Sequence, residues 1–196
     1  MKTVLINPFE KYASTNLLVA GLLLLLAGSY LGFVFHARFD GVIDLHFTEK
    51  ILWYQPLIDN LINTACLFLL LFMLGNYINK KTRAIDILNP VLIARIPIYL
   101  LTFFNSGGYM FKKTQSIFEQ VDMENLDSGI QWETADIIAI VLFSCIAMAL
   151  LVWFVLLLYN GFRIATNTKG AKNIALFAAA LVVAEIVSKI VISYSN

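Results

Sequence analysis

Three charged side chains stand inside otherwise apolar stretches of the sequence: Arg95, Glu185 and Lys189. A charged group in hydrocarbon is costly unless it is paired or lines a water-filled path, so these residues are the first candidates for chemistry. Glu185 and Lys189 are spaced i, i+4, which places them on one face of a helix, where they can pair. Such residues could fix a helix register, carry a proton or an ion, or contact a lipid headgroup.

Depth along the helices predicts a contact between Arg95 and Glu185. If both segments begin at the same membrane surface, Arg95 lies ~12 Å and Glu185 ~16 Å along its helix, an offset that an arginine side chain can bridge. Lys189 lies farther along, where it would reach the membrane surface or meet Asp59 or Asn63 of the second apolar stretch. The candidate intramembrane polar contacts are therefore Arg95, Glu185, Lys189 and Asn63, and a buried pair that fixes helix register is the favoured interpretation over an ion relay.

Sequence patterns of enzymes are absent. There is no H-E-x-x-H, no G-x-S-x-G and no P-loop. The one cluster of metal-ligating residue types is His36, Asp40, Asp44 and His46, but Gly41 interrupts it and the chain has no third histidine. We interpret this cluster as a hydrated outer loop, and we predict no catalytic residue, no cofactor and no metal site.

The chain that carries these residues is too apolar for a soluble protein. Of its 196 residues, 60% are hydrophobic and 14% are charged, and the mean hydropathy is +0.79. An average soluble domain is about 45–50% apolar and about 25% charged. The net charge of +1 offers no basic excess for nucleic acid. We therefore expect an integral membrane protein whose first partner is the lipid bilayer.

Runs of about 20 mostly apolar residues predict five membrane-spanning helices. They form a single all-α domain over residues 1–196, with spans at about 17–35, 57–78, 87–104, 136–162 and 173–193. The first run is longer than the apolar region of a signal peptide, and no A-x-A cleavage pattern follows it. In the third span, Pro97 is expected to introduce a kink, and Pro90 is expected to occupy the first helical turn.

Basic residues are concentrated on one side of this arrangement. The N-terminal segment and the two short connections share that side, and they carry Lys2, Lys11, Lys80, Lys81, Arg83, Arg163, Lys169 and Lys172. The opposite side carries Arg38, Lys50, Lys112 and Lys113 in much longer loops. The positive-inside rule then predicts a cytoplasmic N-terminus and an outer C-terminus.

Small residues recur at helical spacing in the first and fifth spans. Gly28 and Gly32 form a G-x-x-x-G pattern, and Ala180, Ala184 and Ser188 recur every four residues in the fifth span. Such stripes allow helices to approach closely, and we expect internal packing rather than a homodimer seam.

The outer connection between the third and fourth spans contains a glycine-rich break at residues 105–108. From Tyr109 to Val121, apolar residues including Ile117 and Phe118 recur at helical spacing. This pattern predicts a short amphipathic helix that lies either on the outer membrane surface or against the bundle.

The five-span architecture with a cytoplasmic N-terminus resembles the Yip-domain family, and two local stretches carry the resemblance. Residues 89–95 read Asn-Pro-Val-Leu-Ile-Ala-Arg at the opening of the third span, and residues 159–172 form a short, basic, glycine-containing connection before the fifth. Eukaryotic members act in vesicle trafficking, associate with Rab GTPases and with each other, and carry a longer soluble N-terminal region with a D-L-Y-G-P motif. Here residues 1–16 precede the first span and the motif is absent, so the chain is more similar to short prokaryotic members and we do not expect Rab GTPase binding.

The sequence therefore predicts a non-enzymatic multi-pass membrane protein that acts in membrane organisation or protein interaction. Its partners would be copies of itself or other membrane proteins, and its contact surface would be the short basic connections, residues 79–83 and 163–172. If the source is prokaryotic, the location would be the cytoplasmic membrane. The alternative is a small transporter or channel subunit that uses an intramembrane Arg95–Glu185 pair.

Overall fold

A computed structural model describes residues 5–120 and 134–195, with side chains for all of these except 117–120 and 134. The helices are α1 (Ser14–Val34), α2 (Gln55–Ile78), α3 (Ala84–Ile93), α4 (Ile96–Leu101), α5 (Tyr109–Gln120), α6 (Thr134–Thr166) and α7 (Ala171–Ser195). A 3-10 turn (Pro8–Glu10) precedes α1, and a 3-10 segment (Thr102–Gly108) joins α4 to α5. Two short antiparallel strands, β1 (Ala37–Arg38) and β2 (His46–Phe47), form a hairpin between α1 and α2.

Within the described residues, five helical segments are long and apolar enough to span a membrane, as predicted. They are Ser14–Val34, Gln55–Ile78, Ala84–Ser116, Ala135–Thr166 and Ala171–Ser195. The helical segment that contains the predicted third span at 87–104 extends beyond it at both ends, since it begins at Ala84 and continues through the 3-10 segment into α5. The orientation of the termini stays a prediction.

The third span lies at the centre of the bundle. Helix α3 packs against α1, α2 and α6, while α4 packs against α1 and α6, and α2 lies along α7. Ile87, Val91, Ala94 and Ile98 are buried along this central segment. The outer helix α6 instead exposes a series of apolar side chains, which suits a surface in contact with lipid: Ile138, Val141, Leu142, Met148 and Val152.

The third span is broken at Ala94 and Arg95, directly before Pro97. Proline has no N–H group, so the carbonyl of Ile93 loses its helical partner and the helix restarts at Ile96. The α-helix is therefore interrupted at the position where the sequence predicts a kink. The prediction for Pro90 is wrong: α3 begins upstream at Ala84, which places Pro90 in the helix interior.

The connection between α1 and α2 is here named the inserted loop (residues 35–54). Its His36 and His46 are exposed and its Asp40 and Asp44 are partly exposed, which agrees with the predicted hydration of this cluster, but the apolar residues of the loop are buried. Ala37, Phe39 and Val42 have 0% exposure. His36 adopts a left-handed conformation with φ of 52°, which turns the chain back from α1 towards the bundle. The apolar residues of the loop are buried because they fill the space between the helices at this end of the bundle.

The small-residue stripes serve internal packing. A Cβ atom at Gly28 would lie 2.5 Å from the ring of Tyr99, and one at Gly32 would lie 2.8 Å from the ring of Phe39. In α7, Ala184 and Ser188 have 0% exposure. Both predicted stripes therefore bring neighbouring segments of this chain together.

The predicted helix after the glycine-rich break is also present, as α5. Asn105, Ser106 and Gly107 depart from helical geometry, and Asn105 Oδ1 accepts a hydrogen bond from the N–H of Phe111 at 2.9 Å. Met110 is 4% exposed, so the start of α5 packs on the bundle. Val121 and the side chains of Ile117 and Phe118 lie outside the described residues.

Candidate functional site

Arg95 occupies the break between α3 and α4 and has 0% exposure. Its Nη2 donates a hydrogen bond to Asn60 Oδ1 at 2.9 Å, and its Nη1 donates to the carbonyl oxygen of Val42 at 3.3 Å. The guanidinium carbon lies 5.7 Å from the ring centroid of Phe39 and 5.8 Å from that of Tyr99. The aromatic faces and the two acceptors replace the hydration of a cation that water does not reach.

Glu185 approaches the inserted loop from the opposite side. Its Oε2 accepts a hydrogen bond from the N–H of Ile43 at 2.9 Å, and its Oε1 lies 3.3 Å from Lys189 Nζ, which confirms the predicted i, i+4 pair. A Cβ atom at Gly41 would lie 2.3 Å from Glu185 Oε1. The carboxylate can therefore reach the loop backbone only because residue 41 has no side chain.

Arg95 and Glu185 are joined through a single peptide group. The C=O that accepts from Arg95 belongs to Val42, the N–H that donates to Glu185 belongs to Ile43, and these two groups are the ends of one peptide unit. The predicted direct contact is wrong, because the loop backbone lies between the two side chains. The negative end of this peptide dipole faces Arg95 and its positive end faces Glu185. The charge of Arg95 therefore strengthens the hydrogen bond to Glu185, and the charge of Glu185 strengthens the hydrogen bond from Arg95.

Helix α2 supplies further contacts to the inserted loop and to α1. Asp59 accepts two hydrogen bonds from Arg38, at 2.6 and 2.9 Å, and one from the N–H of Phe39 at 3.3 Å. Asn63 Nδ2 donates to the carbonyl of Phe39 at 2.8 Å, and Asn60 Nδ2 donates to Ser29 Oγ at 2.9 Å. The hydrogen bond to Asp59 raises the pKa of the Arg38 guanidinium, against the lowering effect of burial. One face of α2 thus fixes the loop by side-chain and backbone contacts.

Lys189 does not meet Asp59 or Asn63, because those side chains are engaged with the loop. It pairs with Asp44 of the inserted loop at 2.6 Å and is about half exposed. Nearby, His46 pairs with Asp40, and this hydrogen bond raises the pKa of His46 despite partial burial. Among the described residues, no group of three or more metal-ligating side chains comes together.

Five buried polar atoms on α2, on α3, on α4 and in the break between α3 and α4 have no hydrogen-bond partner among the described residues: Asn63 Oδ1, Thr64 Oγ1, Asn89 Oδ1, Arg95 Nε and Tyr99 Oη. Each retains the capacity for one more hydrogen bond. The interior of the bundle therefore contains hydrogen-bonding atoms in addition to those that bind the inserted loop.

The opposite end of the bundle carries the predicted contact surface. The two short connections, residues 79–83 and 163–172, are joined by a hydrogen bond from Asn79 Nδ2 to the carbonyl of Thr166 at 3.2 Å. Thr82 donates to the carbonyl of Gly75 at 3.1 Å, which keeps the first connection tight against α2. We name the resulting surface the basic face, and it comprises the exposed side chains of Lys80, Lys81, Arg83, Arg163, Lys169 and Lys172.

Most cations of the basic face have no ion-pair partner in the described parts of the chain. Arg83 binds Asp86 through Nε at 2.7 Å. The other five form no ion pair with any residue that the structure describes. This end of the molecule therefore presents positive charge that is available to an acidic or anionic partner.

The sequence predicts Arg95, Glu185, Lys189 and Asn63 as polar contacts and names Asp59 as a partner of Lys189, whereas Asp59 binds Arg38. It does not predict the role of Asn60 as a partner of Arg95. Asn60 carried a usable signal, since with Asp59 and Asn63 it forms a polar patch at i, i+1 and i+4 in an otherwise apolar helix. No sequence signal identifies Gly41, because its role depends on where Glu185 lies in the fold.

Comparisons with protein-family models, with curated proteins and with solved structures gave no match. The Yip-domain resemblance therefore stays a prediction, and the interpretation of both ends depends on their own geometry.

Proposed function

We propose that this protein is a non-enzymatic multi-pass membrane protein that acts by binding other proteins at its basic face. The observation that carries the proposal is the hydrogen bond between Asn79 and Thr166, which joins two connections that are far apart in sequence into one surface. In a Yip-like arrangement this face is cytoplasmic, as the distribution of basic residues predicts. Its partners would be acidic segments of membrane proteins, including further copies of this chain.

The state of the buried charges supports binding over transport. Arg95 is fully buried and is held by the inserted loop. Cavities of about 440, 230 and 260 Å³ lie elsewhere in the bundle, and none of these three is lined by Arg95, Glu185 or Lys189. A conduction path needs charged groups that water or an ion can reach, and Arg95 is closed off in this conformation.

Photocrosslinking in native membranes tests the proposal. A photoreactive amino acid at position 81 or 169 should capture acidic protein partners, and the adducts should disappear when Lys80 and Lys172 are changed to Gln. Position 194 is the matched control, since Tyr194 is 89% exposed at the opposite end of α7. Adducts of lipid alone at positions 81 and 169, or the same protein adducts at all three positions, would contradict the proposal.

A small transporter is the second candidate, and it is favoured by Arg95 Nε and Tyr99 Oη, which have no hydrogen-bond partner in the part of the chain that the structure describes. These atoms could bind a transient water or ion if the inserted loop moved. Proton or ion flux in proteoliposomes that disappears in Glu185→Gln would support transport. Absence of flux, together with specific protein adducts at the basic face, would exclude it in favour of the binding role.

A further inference from the structure

An apolar cavity of about 440 Å³ lies between the N-terminal segment, α1, the break in the third span, and α6. Leu17, Ala20, Ile93, Ile96 and Leu157 line it together with Trp153. This volume is within the range of about 300–1,000 Å³ that is typical of small-molecule sites.

The depth of this cavity indicates what can fill it. Ile93 and Ile96 lie ~14 and ~18 Å along the third span from Ala84, which is close to the middle of a hydrocarbon core of ~30 Å. At that depth the surroundings are hydrocarbon, so an apolar cavity that opens to them is suited to an acyl chain rather than to water.

The N-terminal segment forms a wall of the cavity because two hydrogen bonds hold it against α6. Trp153 Nε1 donates to the carbonyl of Leu5 at 2.8 Å, and Asn160 Nδ2 donates to the carbonyl of Ile6 at 3.1 Å. The cavity is therefore built by specific contacts and is more than a gap between helices.

A second, polar cavity of about 230 Å³ lies on the side towards the basic face, and Leu17 lines both. Arg83 and Asp86 line this polar cavity with opposite charges, and Ser14 Oγ donates to Asp86 Oδ1 at 3.3 Å. Together the two cavities offer an apolar compartment and a polar compartment in sequence along α1.

Asn89 gives an independent sign of a ligand in the polar cavity. It is 2% exposed, and its Nδ2 donates to the carbonyl of Ser14 at 2.9 Å. This bond fixes which end of the amide is the acceptor, and that acceptor, Oδ1, has no partner among the described residues. A buried amide oxygen that no described residue satisfies can accept one further hydrogen bond, and Asn89 is one of the residues that line the polar cavity.

We propose that the paired cavities bind one glycerophospholipid with a phosphoethanolamine headgroup. An acyl chain occupies the apolar cavity, the phosphate lies towards Arg83, and the ammonium group lies towards Asp86 and donates to Asn89 Oδ1. A choline headgroup carries no N–H and cannot satisfy Asn89. The proposal depends on the cavities, and Arg83 is the one residue that it shares with the basic face.

Quenching of Trp153 fluorescence by lipids brominated on the acyl chain tests the proposal in the full chain. Trp53→Phe and Trp132→Phe leave Trp153 as the single reporter, in bilayers that mix brominated with unbrominated lipid. We expect phosphatidylethanolamine to quench with an apparent association constant about fivefold higher than phosphatidylcholine or phosphatidylglycerol, as one added charge-assisted hydrogen bond implies. Equal apparent association constants for the three headgroups would overturn the proposal, and this result needs no further variant.

Two variants separate the compartments. Asp86→Asn should remove the headgroup preference while quenching persists, and Ala20→Phe should fill the apolar cavity and reduce quenching by every lipid. Ala27→Phe is the matched control, since Ala27 is an exposed residue of the same helix, and it should leave quenching unchanged. A preference that survives Asp86→Asn would contradict the headgroup assignment. Equal quenching in Ala20→Phe and Ala27→Phe would contradict the acyl-chain site.

Discussion

The charged side chains at the two ends of this bundle differ in their burial and in their partners. At the end that holds the inserted loop, Arg38, Asp59, Arg95 and Glu185 are engaged by other groups of the same chain. At the basic face, the lysines are exposed and unpaired among the described residues. The first arrangement fixes the conformation of the protein, whereas the second leaves charge available for a partner.

This difference has a physical basis in hydration. A buried ion has lost its water shell and is tolerated only where hydrogen bonds replace that shell, so removing one partner leaves a costly orphan. An exposed lysine keeps its hydration, contributes little to folding, and can exchange water for a ligand. We therefore expect substitutions at the loop end to change stability and substitutions at the basic face to change binding.

The largest effect is expected from Arg95→Met. The change leaves Asn60 Oδ1 and the carbonyl of Val42 without their donor and removes the cation that holds the inserted loop. We expect the free energy of unfolding to fall by about 2–4 kcal/mol, because two buried acceptors lose their donor. Reversible unfolding in mixed micelles measures this change. Arg163→Met at the basic face is the control, with an expected change within about 0.5 kcal/mol; equal losses in the two variants would remove the distinction between the ends.

Gly41→Ala should have the next largest effect. The new methyl group would lie 2.3 Å from Glu185 Oε1, so the carboxylate or the loop must move, at a cost of about 1–3 kcal/mol. In a Glu185→Ala background the same change should cost much less, because the space is then free. If the losses in the free energy of unfolding are additive in the double variant, the side chain of Glu185 makes no steric contact with residue 41.

A smaller effect on stability is expected when the basic face is neutralised. Replacing Lys80, Lys81, Lys169 and Lys172 together with Gln should change the free energy of unfolding by less than about 0.5 kcal/mol. Crosslinking from position 163 to partner proteins should be lost in the same variant. A strongly destabilised variant would mean that these lysines serve folding after all.

The smallest effect is the pH dependence that His46 contributes. Its pKa is raised in the folded protein by the hydrogen bond to Asp40, so the stabilisation is complete below the unfolded value of about 6.5 and is lost as the pH rises through the folded value. Because the His46 side chain is 53% exposed, solvent screening should keep this contribution below about 1 kcal/mol. Unfolding of the native chain and His46→Asn between about pH 5 and 9 should show an advantage of histidine that shrinks with rising pH; a constant or growing advantage would contradict the assignment.

Sequence reasoning succeeded where length and local chemistry decide the structure. Apolar runs set the five spans, and the missing N–H of Pro97 set the break that places Arg95. Periodicity after the glycine-rich segment was enough to predict α5.

It failed where a backbone group is the partner. Phe39 and Val42 stand among polar and glycine residues, so nothing local indicates that the loop is buried. The link between Arg95 and Glu185 is a peptide group, which every residue possesses and no sequence pattern reveals. Pairing two opposite charges directly was the simplest reading of the sequence, and the fold placed the loop backbone between them.

A charge swap tests this peptide link most directly. In Arg95→Glu combined with Glu185→Arg, the Val42 carbonyl would face an anion and the Ile43 N–H would face a cation, so both contacts become repulsive. We expect the double variant to unfold at least as readily as the less stable single variant. Recovery of stability towards that of the native chain would contradict it, since a rescue of that kind requires the two side chains to meet directly.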